Sequence, residues 1–371
     1  MGSEVLLYGY GIVCLSMLVY NIAYNIIMRS SDSRLERKIK RLSDKISVQL
    51  ERIRNGQSIE PEHMRYFRNK LSKISYLIAF DHILDQMKEH LSDPAVAEYI
   101  QKMQRVILQL ALEYRDRESM QSAYFAYLVS KHNAREHLAV DTVMENILVD
   151  YMKKESIYCR VNALQALCDI GSPESILKAL ILLDRREGVL HEKIVTDILL
   201  SYAGYHDELI GVLWERFEGM SPKTQLPILN YIRFQSGDYL GEMYEIMVNE
   251  ERDKELRLSA VRYFGKYYYA PAREKLLQFL ADKQPLMWEY AATAATALAS
   301  YEGEDVVEAL MDAVHSTNWY IRYNAAESLQ AHHLDYSDLL AVVGGSDRYA
   351  REMVMYRLNA QRIKEEMEEA L

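Results

Sequence analysis

Cysteine, proline and glycine are all scarce in this chain, and each shortage removes a class of protein. There are three cysteines in 371 residues, with no CxxC pair and no His/Cys metal spacing. Neither a disulfide framework nor a zinc module is encoded, and with no Asn-x-Ser/Thr sequon anywhere the expectation is reduced thiols in a cytosolic setting. Seven prolines and 15 glycines favour long helices over a many-stranded sheet with frequent tight turns. Basic charge is short as well. Forty-four Lys and Arg against 54 Asp and Glu give a net charge of −10. That balance argues against a general nucleic-acid binder, although a local basic face can hide in the average. A phosphate-binding loop is also missing: Gly9-x-Gly11 sits inside an apolar run, and Gly344-Gly345-Ser346 reads as a turn.

What the chain has is a period. The segments CRVNALQAL (159–167), LRLSAVRYF (256–264), WEYAATAAT (288–296) and IRYNAAESL (321–329) are copies of one another. The residue that opens each unit falls at Arg160, Lys193, Gln225, Arg257, Glu289 and Arg322, in steps of 33, 32, 32, 32 and 33. Self-similarity at this period marks a solenoid, whose units bury their apolar faces only by stacking on neighbours. Small residues recur three places on, at Ala163, Ala260, Ala292 and Ala325, where they let helices approach closely. Leu167, Leu200, Ile232, Phe264 and Leu329 then fill the core. Breakers separate the paired helices at Gly171-Ser172-Pro173, Ala270-Pro271, Gly303 and Ser337-Asp338. The 28 tyrosines suit amphipathic packing between helices.

The N-terminus differs. Val5 to Met28 is a run of 24 residues without a charge, long enough at 1.5 Å per residue to cross a bilayer core of ~30 Å. Only Glu4 precedes it, so a signal-peptide n-region is lacking, and basic residues follow it: Arg29, Arg34, Arg37, Lys38, Lys40, Arg41 and Lys45. The positive-inside rule then places residues 1–4 outside and everything after 28 in the cytoplasm, as a single-pass inner-membrane protein. Residues 29–58 form a basic juxtamembrane helix with an apolar stripe at Leu35, Ile39, Leu42, Ile46, Leu50 and Ile53. Three readings of that helix are open: it lies on the anionic leaflet, pairs with another helix, or docks as the first helix of the repeats. Asn55-Gly56 supplies its C-cap. Pro61 suits a first helical position, and Asp93 before Pro94 suits an N-cap.

Arg-Tyr-Asn-Ala-Ala-Glu-Ser-Leu (322–329) resembles the inner helix of HEAT repeats, specifically the short bacterial type related to phycobilisome-lyase-like repeats. The resemblance covers roughly residues 60–360. It implies an all-α fold, a right-handed α-α superhelix (a HEAT-like α-solenoid) over 59–371, behind the single transmembrane helix and ending in an acidic tail at Glu365–Glu369. In the family, the basic residue matched by Arg160, Arg257 and Arg322 braces neighbouring units. Gln225 and Glu289 depart from it, which leaves bracing at those joints open. Such arrays serve mostly as scaffolds and adaptors.

No constellation points to a reaction. The pairs His332-His333 and His132/His137 lack Cys, Asp or Glu at metal spacing, so hydrogen-bonded or solvated histidines are expected. Asp81-His82, His191-Glu192 and His206-Asp207 have no nucleophile spaced to use them. The stretch Tyr263 to Tyr269, with Arg257, Arg262 and Arg273, reads first as packing and second as an aromatic-basic surface for protein. The outward polar residues of the repeated helices, Asn162, Gln165, Asn230, Arg233, Arg262, Asn324 and Glu327, form the expected partner face. Arg34, Arg37, Lys38, Lys40 and Arg41 form the membrane-proximal basic set. The sequence therefore reads as a non-enzymatic, membrane-anchored cytoplasmic scaffold without cofactor or metal. It would hold a membrane-associated protein, such as an envelope glycosyltransferase. The rivals are a HEAT-repeat enzyme of lyase-like or DNA-glycosylase-like type and a soluble HEAT-repeat regulator.

Overall fold

The computed structural model describes residues 2–132, 142–186, 190–332, 334 and 337–369. Side chains before Asp32 are described only at Val13, Ser16, Met17 and Tyr20, and those after Arg357 only at Asn359. All regular structure among the described residues is helical. Two compact units divide the chain, residues 1–182 and 183–371.

The first unit contains α1 (Gly2–Arg54), α2 (Pro61–Leu71), α3 (Ile74–Lys88), α4 (Pro94–Arg115), α5 (Ser119–His132), α6 (Thr142–Tyr151) and α7 (Ile157–Ile170). α8 (Pro173–Asp184) follows. The second unit contains α9 (Glu192–Leu200), α10 (His206–Trp214), α11 (Pro222–Gln235), α12 (Leu240–Val248), α13 (Lys254–Phe264) and α14 (Ala270–Ala281). It continues through α15 (Trp288–Ala297), α16 (Glu304–Ala313), α17 (Trp319–Ala331), α18 (Leu340–Val343) and α19 (Arg348–Glu369).

Packing follows one rule in each unit: a helix touches the next but one. In the first unit α1 packs on α3, α3 on α5 and α5 on α7, while α2 packs on α4 and α4 on α6. The second repeats this from α9 through α11, α13, α15 and α17 to α19, with α14 on α16. Two layers result, odd helices and even helices, which is the stacking that a period of one helical pair demands. Ala163, Ala260 and Ala325 are fully buried at the odd-layer crossings, and Leu167, Ile232, Phe264 and Leu329 fill the space one turn on.

The start and stop signals act as the residues dictate. Pro61 opens α2 at its first position, and the Asp93 carboxylate accepts from the Ala95 N–H at 2.9 Å to cap α4. Gly56 ends α1 at φ 73°, a conformation L side chains resist. Gly303 precedes α16 at φ 142°, and the Arg273–Asp305 ion pair closes over it where a Cβ would stand.

The unit-opening residues clasp the turns that lead into their own helices. Arg257 Nε donates to the Met247 carbonyl at 3.1 Å, Arg322 Nη1 to Ser316 at 2.6 Å and Arg351 Nη1 to Gly345 at 3.2 Å. The two departures do not break this bracing. Gln225 donates its amide to the Phe217 carbonyl at 2.8 Å, and Glu289 of α15 forms an ion pair with Lys254 of α13. Lys193 is exposed instead.

Tyrosine explains much of the core. Tyr99, Tyr114, Tyr151, Tyr231, Tyr263 and Tyr301 are among the largest fully buried side chains. A buried hydroxyl must find a partner, and these find theirs across helices. Tyr114 donates to the Leu71 carbonyl at 2.8 Å and Tyr151 to Ala111 at 2.9 Å, whereas the Tyr263 oxygen accepts from the Tyr239 N–H at 3.1 Å. Burial pushes the Tyr263 and Tyr301 hydroxyls up to about 12.

Of the three readings of the juxtamembrane helix, the structure takes the third over residues 42–53. Leu42, Ile46 and Ile53 are buried, and α1 packs on α3 and α4 as the first helix of the odd layer. The apolar run 5–28 continues the backbone of α1, but most of its side chains lie outside the described residues. Among the described residues no helix is long and apolar enough to cross a membrane.

Candidate functional site

Five of the seven residues expected on the partner face have a partner within the fold, with Glu327 itself exposed. Asn162 Nδ2 of α7 donates to the Ala123 carbonyl of α5 at 3.0 Å, and Asn324 Nδ2 of α17 to Ala292 of α15 at 2.7 Å. Asn230 Oδ1 of α11 accepts from Ser259 Oγ of α13 at 3.0 Å. Gln165 Nε2 donates to Asp169 at 3.2 Å, and Glu327 pairs with Arg357 at 2.9 Å. Ser328 and His332 add bonds from α17 to the carbonyls of Ala295 and Leu298, at 2.7 and 3.1 Å. These polar residues miss the apolar stripe, which is why the pattern alone places them at the surface. In the fold, two helices of one layer face each other along that same polar line.

The remaining two, Arg233 and Arg262, are brought together. Arg233 ends α11, Arg262 lies in the last turn of α13, and neither forms an ion pair among the described residues. The Arg233 guanidinium lies 4.6 Å from the centroid of Phe234, whose side chain is 49% exposed, and its Nε is buried without an acceptor. Burial and the neighbouring Arg262 charge both lower the Arg233 pKa. Lys266, just after α13, donates to the Phe234 carbonyl at 2.9 Å and lies 5.1 Å from the Tyr267 ring. The result is three cations and a half-exposed phenylalanine with no carboxylate paired to any of the three among the described residues.

The Tyr263–Tyr269 stretch thus divides in two. Tyr263 and Phe264 are buried packing, while Lys266 and Tyr268 are exposed and Tyr267 is half-buried. Of the arginines around it, Arg257 clasps Met247 and Arg273 pairs with Asp305. Arg262 is the one that stays at the surface without an ion pair among the described residues. Each tryptophan joins an aromatic cluster: Trp214 on Phe217, Trp288 on Tyr320, and Trp319 on Tyr323.

A second cluster lies in the first unit, and no spacing along the chain announces it. Asp81 of α3 accepts from His132 Nε2 at 2.5 Å, from Lys131 Nζ at 2.9 Å and from Tyr124 Oη at 2.8 Å. Lys131 also reaches Asp85 at 2.6 Å. Burial alone would raise the Asp81 pKa, but the three donors outweigh it and hold the carboxyl below its ordinary value. Burial lowers the His132 pKa against the opposing pull of Asp81, and Nε2 faces that carboxylate as the donor. His132 is hydrogen-bonded, and its carboxylate neighbours come from α3, about fifty positions away. Ligand atoms of Asp81, Asp85 and His132 lie within 4.8 Å of one another, a spacing that can hold a cation. Lys131 supplies positive charge to both carboxylates, and with His132 and Tyr124 it braces α5 against α3.

His206 and His191 are tied into the fold. His206 meets the Tyr231 hydroxyl at 2.7 Å, and His191 Nδ1 accepts from the Lys193 N–H at 3.2 Å as an N-cap. His137 and His333 lie outside the described residues. In the basic set of α1, Arg34, Arg37, Lys40 and Arg41 are exposed, and Lys38 lies 5.3 Å from the Tyr76 ring.

Residues 242–330 match the family described as HEAT repeats, which supports a HEAT-repeat family for this chain. No curated protein matches it. Among solved structures, human deoxyhypusine hydroxylase in complex with glycerol is similar at 18% identity, covering 80% of this chain and 95% of that one, with a TM-score of 0.27. A likeness that loose carries no argument about activity.

Proposed function

We propose that this chain is a membrane-anchored bacterial HEAT-repeat scaffold of the phycobilisome-lyase-like group, which binds a protein partner at the cytoplasmic face of the inner membrane without catalysing a reaction. The observation that carries the reading is the surface of Arg233, Phe234, Arg262 and Lys266, whose cations have no carboxylate partner among the described residues. Arginine and aromatic side chains dominate the energetics of protein interfaces. Several other polar side chains of the odd layer, Asn162, Asn230 and Asn324 among them, are engaged by neighbouring helices. The apolar run 5–28 supplies the anchor, and confinement at the bilayer raises the effective concentration of the repeats for membrane partners. An envelope glycosyltransferase is one client of suitable location.

The test is crosslinked purification of the full-length chain from detergent-solubilised membranes, beside carbonate extraction. A stoichiometric partner in the membrane fraction is expected. Recovery of the chain alone would overturn the scaffold, and release into the carbonate supernatant would overturn the anchor.

A further inference from the structure

The chemistry of the partner can be narrowed, on the premise that the chain is a partner-binding scaffold. Arg233 and Arg262 carry like charges close enough to act on each other, and the Arg233 Nε is dehydrated with nothing to donate to. Lys266 adds a third positive charge beside Phe234, with its ammonium 5.9 Å from the ring centroid. Phe234 stands exposed between the Arg233 and Lys266 charges and offers an apolar platform.

The cationic surface is short. Tyr267 lies against Tyr263 with ring centroids 4.8 Å apart and planes tilted, and the Asp238 and Glu242 carboxylates act on Tyr263. A nucleic-acid backbone needs a longer stripe of cations than this, and the chain as a whole carries −10. Guanidinium groups pair in a planar, two-bond geometry with carboxylates. We infer that this surface receives a short carboxylate-rich peptide segment of a partner protein, its adjacent Asp or Glu side chains engaging Arg233, Arg262 and Lys266 and an apolar side chain lying on Phe234.

The probe is a fluorescein-labelled Asp/Glu-rich dodecapeptide with one phenylalanine, titrated with the full-length chain in detergent micelles and read by fluorescence anisotropy. Saturable binding is expected. It should weaken about tenfold or more in Arg233→Glu/Arg262→Glu and weaken measurably in Phe234→Ala. Reversal of two exposed charges on α4, Lys102→Glu/Arg105→Glu, should leave it unchanged. If the Arg→Glu pair melts early, Arg233→Gln/Arg262→Gln takes its place. Absence of saturable binding, equal loss in the α4 control, or tighter binding of a charge-matched single-stranded oligonucleotide would each overturn the inference. A partner that co-purifies equally with the wild type and the double Gln variant would sink this surface and leave the scaffold standing. Peptide binding without any co-purified partner would sink the scaffold instead.

Discussion

Gln225 donates its side-chain amide to the carbonyl of Phe217 at 2.8 Å, and both residues are buried. This is the contact that arginine makes at other joints, here achieved by a neutral and shorter side chain. Glutamine can take the place because the accepting carbonyl needs a donor, not a charge.

Gln225→Ala leaves that carbonyl without its side-chain donor and opens a small cavity. A loss of about 1–3 kcal/mol is expected, read as a lower midpoint in urea or heat. Gln225→Glu should be no better, since a carboxylate cannot donate. An unchanged midpoint in both variants would show that the clasp contributes nothing.

Gly303 holds φ at 142°, with the Arg273 guanidinium and the Asp305 carboxylate where a Cβ would be. Gly303→Ala therefore meets backbone strain and displaced charges together, and about 1–3 kcal/mol of destabilisation is expected. Adding Arg273→Ala removes the nearer obstacle and leaves the backbone cost together with the Asp305 contact. Circular-dichroism melts of the single and double variants separate the two contributions; equal midpoints for wild type and Gly303→Ala would refute both.

His63 is buried against Phe67 and bonded to the Tyr99 hydroxyl at 2.8 Å. Burial, with Lys45 assisting and Glu60 opposing, lowers its pKa to about 4. Between that value and its ordinary pKa near 6.5, the unfolded chain binds a proton that the folded chain does not. The stabilising contribution is therefore complete above pH 6.5, is lost as pH falls through the window, and changes no further below about 4. Each pH unit in the window costs up to about 1.4 kcal/mol. Chemical-denaturation curves at pH 4.5, 5.5 and 7 should show a steeper loss in the wild type than in His63→Gln. Parallel pH dependences would rule out His63 as a source.

Burial raises the Cys159 thiol to about 11 and the Cys168 thiol further still. Neither should form thiolate near neutral pH. In a Cys14→Ser background, iodoacetamide at pH 7.5 should leave the native chain unmodified and alkylate both thiols in denaturant, as intact mass will show. Rapid native alkylation at Cys168 would contradict the packing of α7.

The repeat itself was legible because most units restate the same local choice: a clasp residue, a small residue at the crossing, and a large apolar one a turn later. Asp93, Pro61 and Gly56 were legible for the same reason, since a cap is settled by its immediate neighbours. Arg233 and Arg262 could be nominated as outward residues but not recognised as adjacent, because their proximity depends on how α11 lies against α13. That Asn162 and Asn324 bond a neighbouring helix could not be seen on the same ground, a polar side chain having two exits from a helix face. The Asp81–His132 contact joins elements in the part of the chain where the period is stretched, so no ruler laid along the sequence could bring them together.

Asn324, Ser328 and His332 each reach from α17 to a carbonyl on the α15 side, at Ala292, Ala295 and Leu298. The three bonds advance in step along both elements, like teeth on a rack. Sliding one helix past the other by a single residue, about 1.5 Å, would strip all three at once. The three bonds therefore hold the register of α17 against α15 as one set rather than singly.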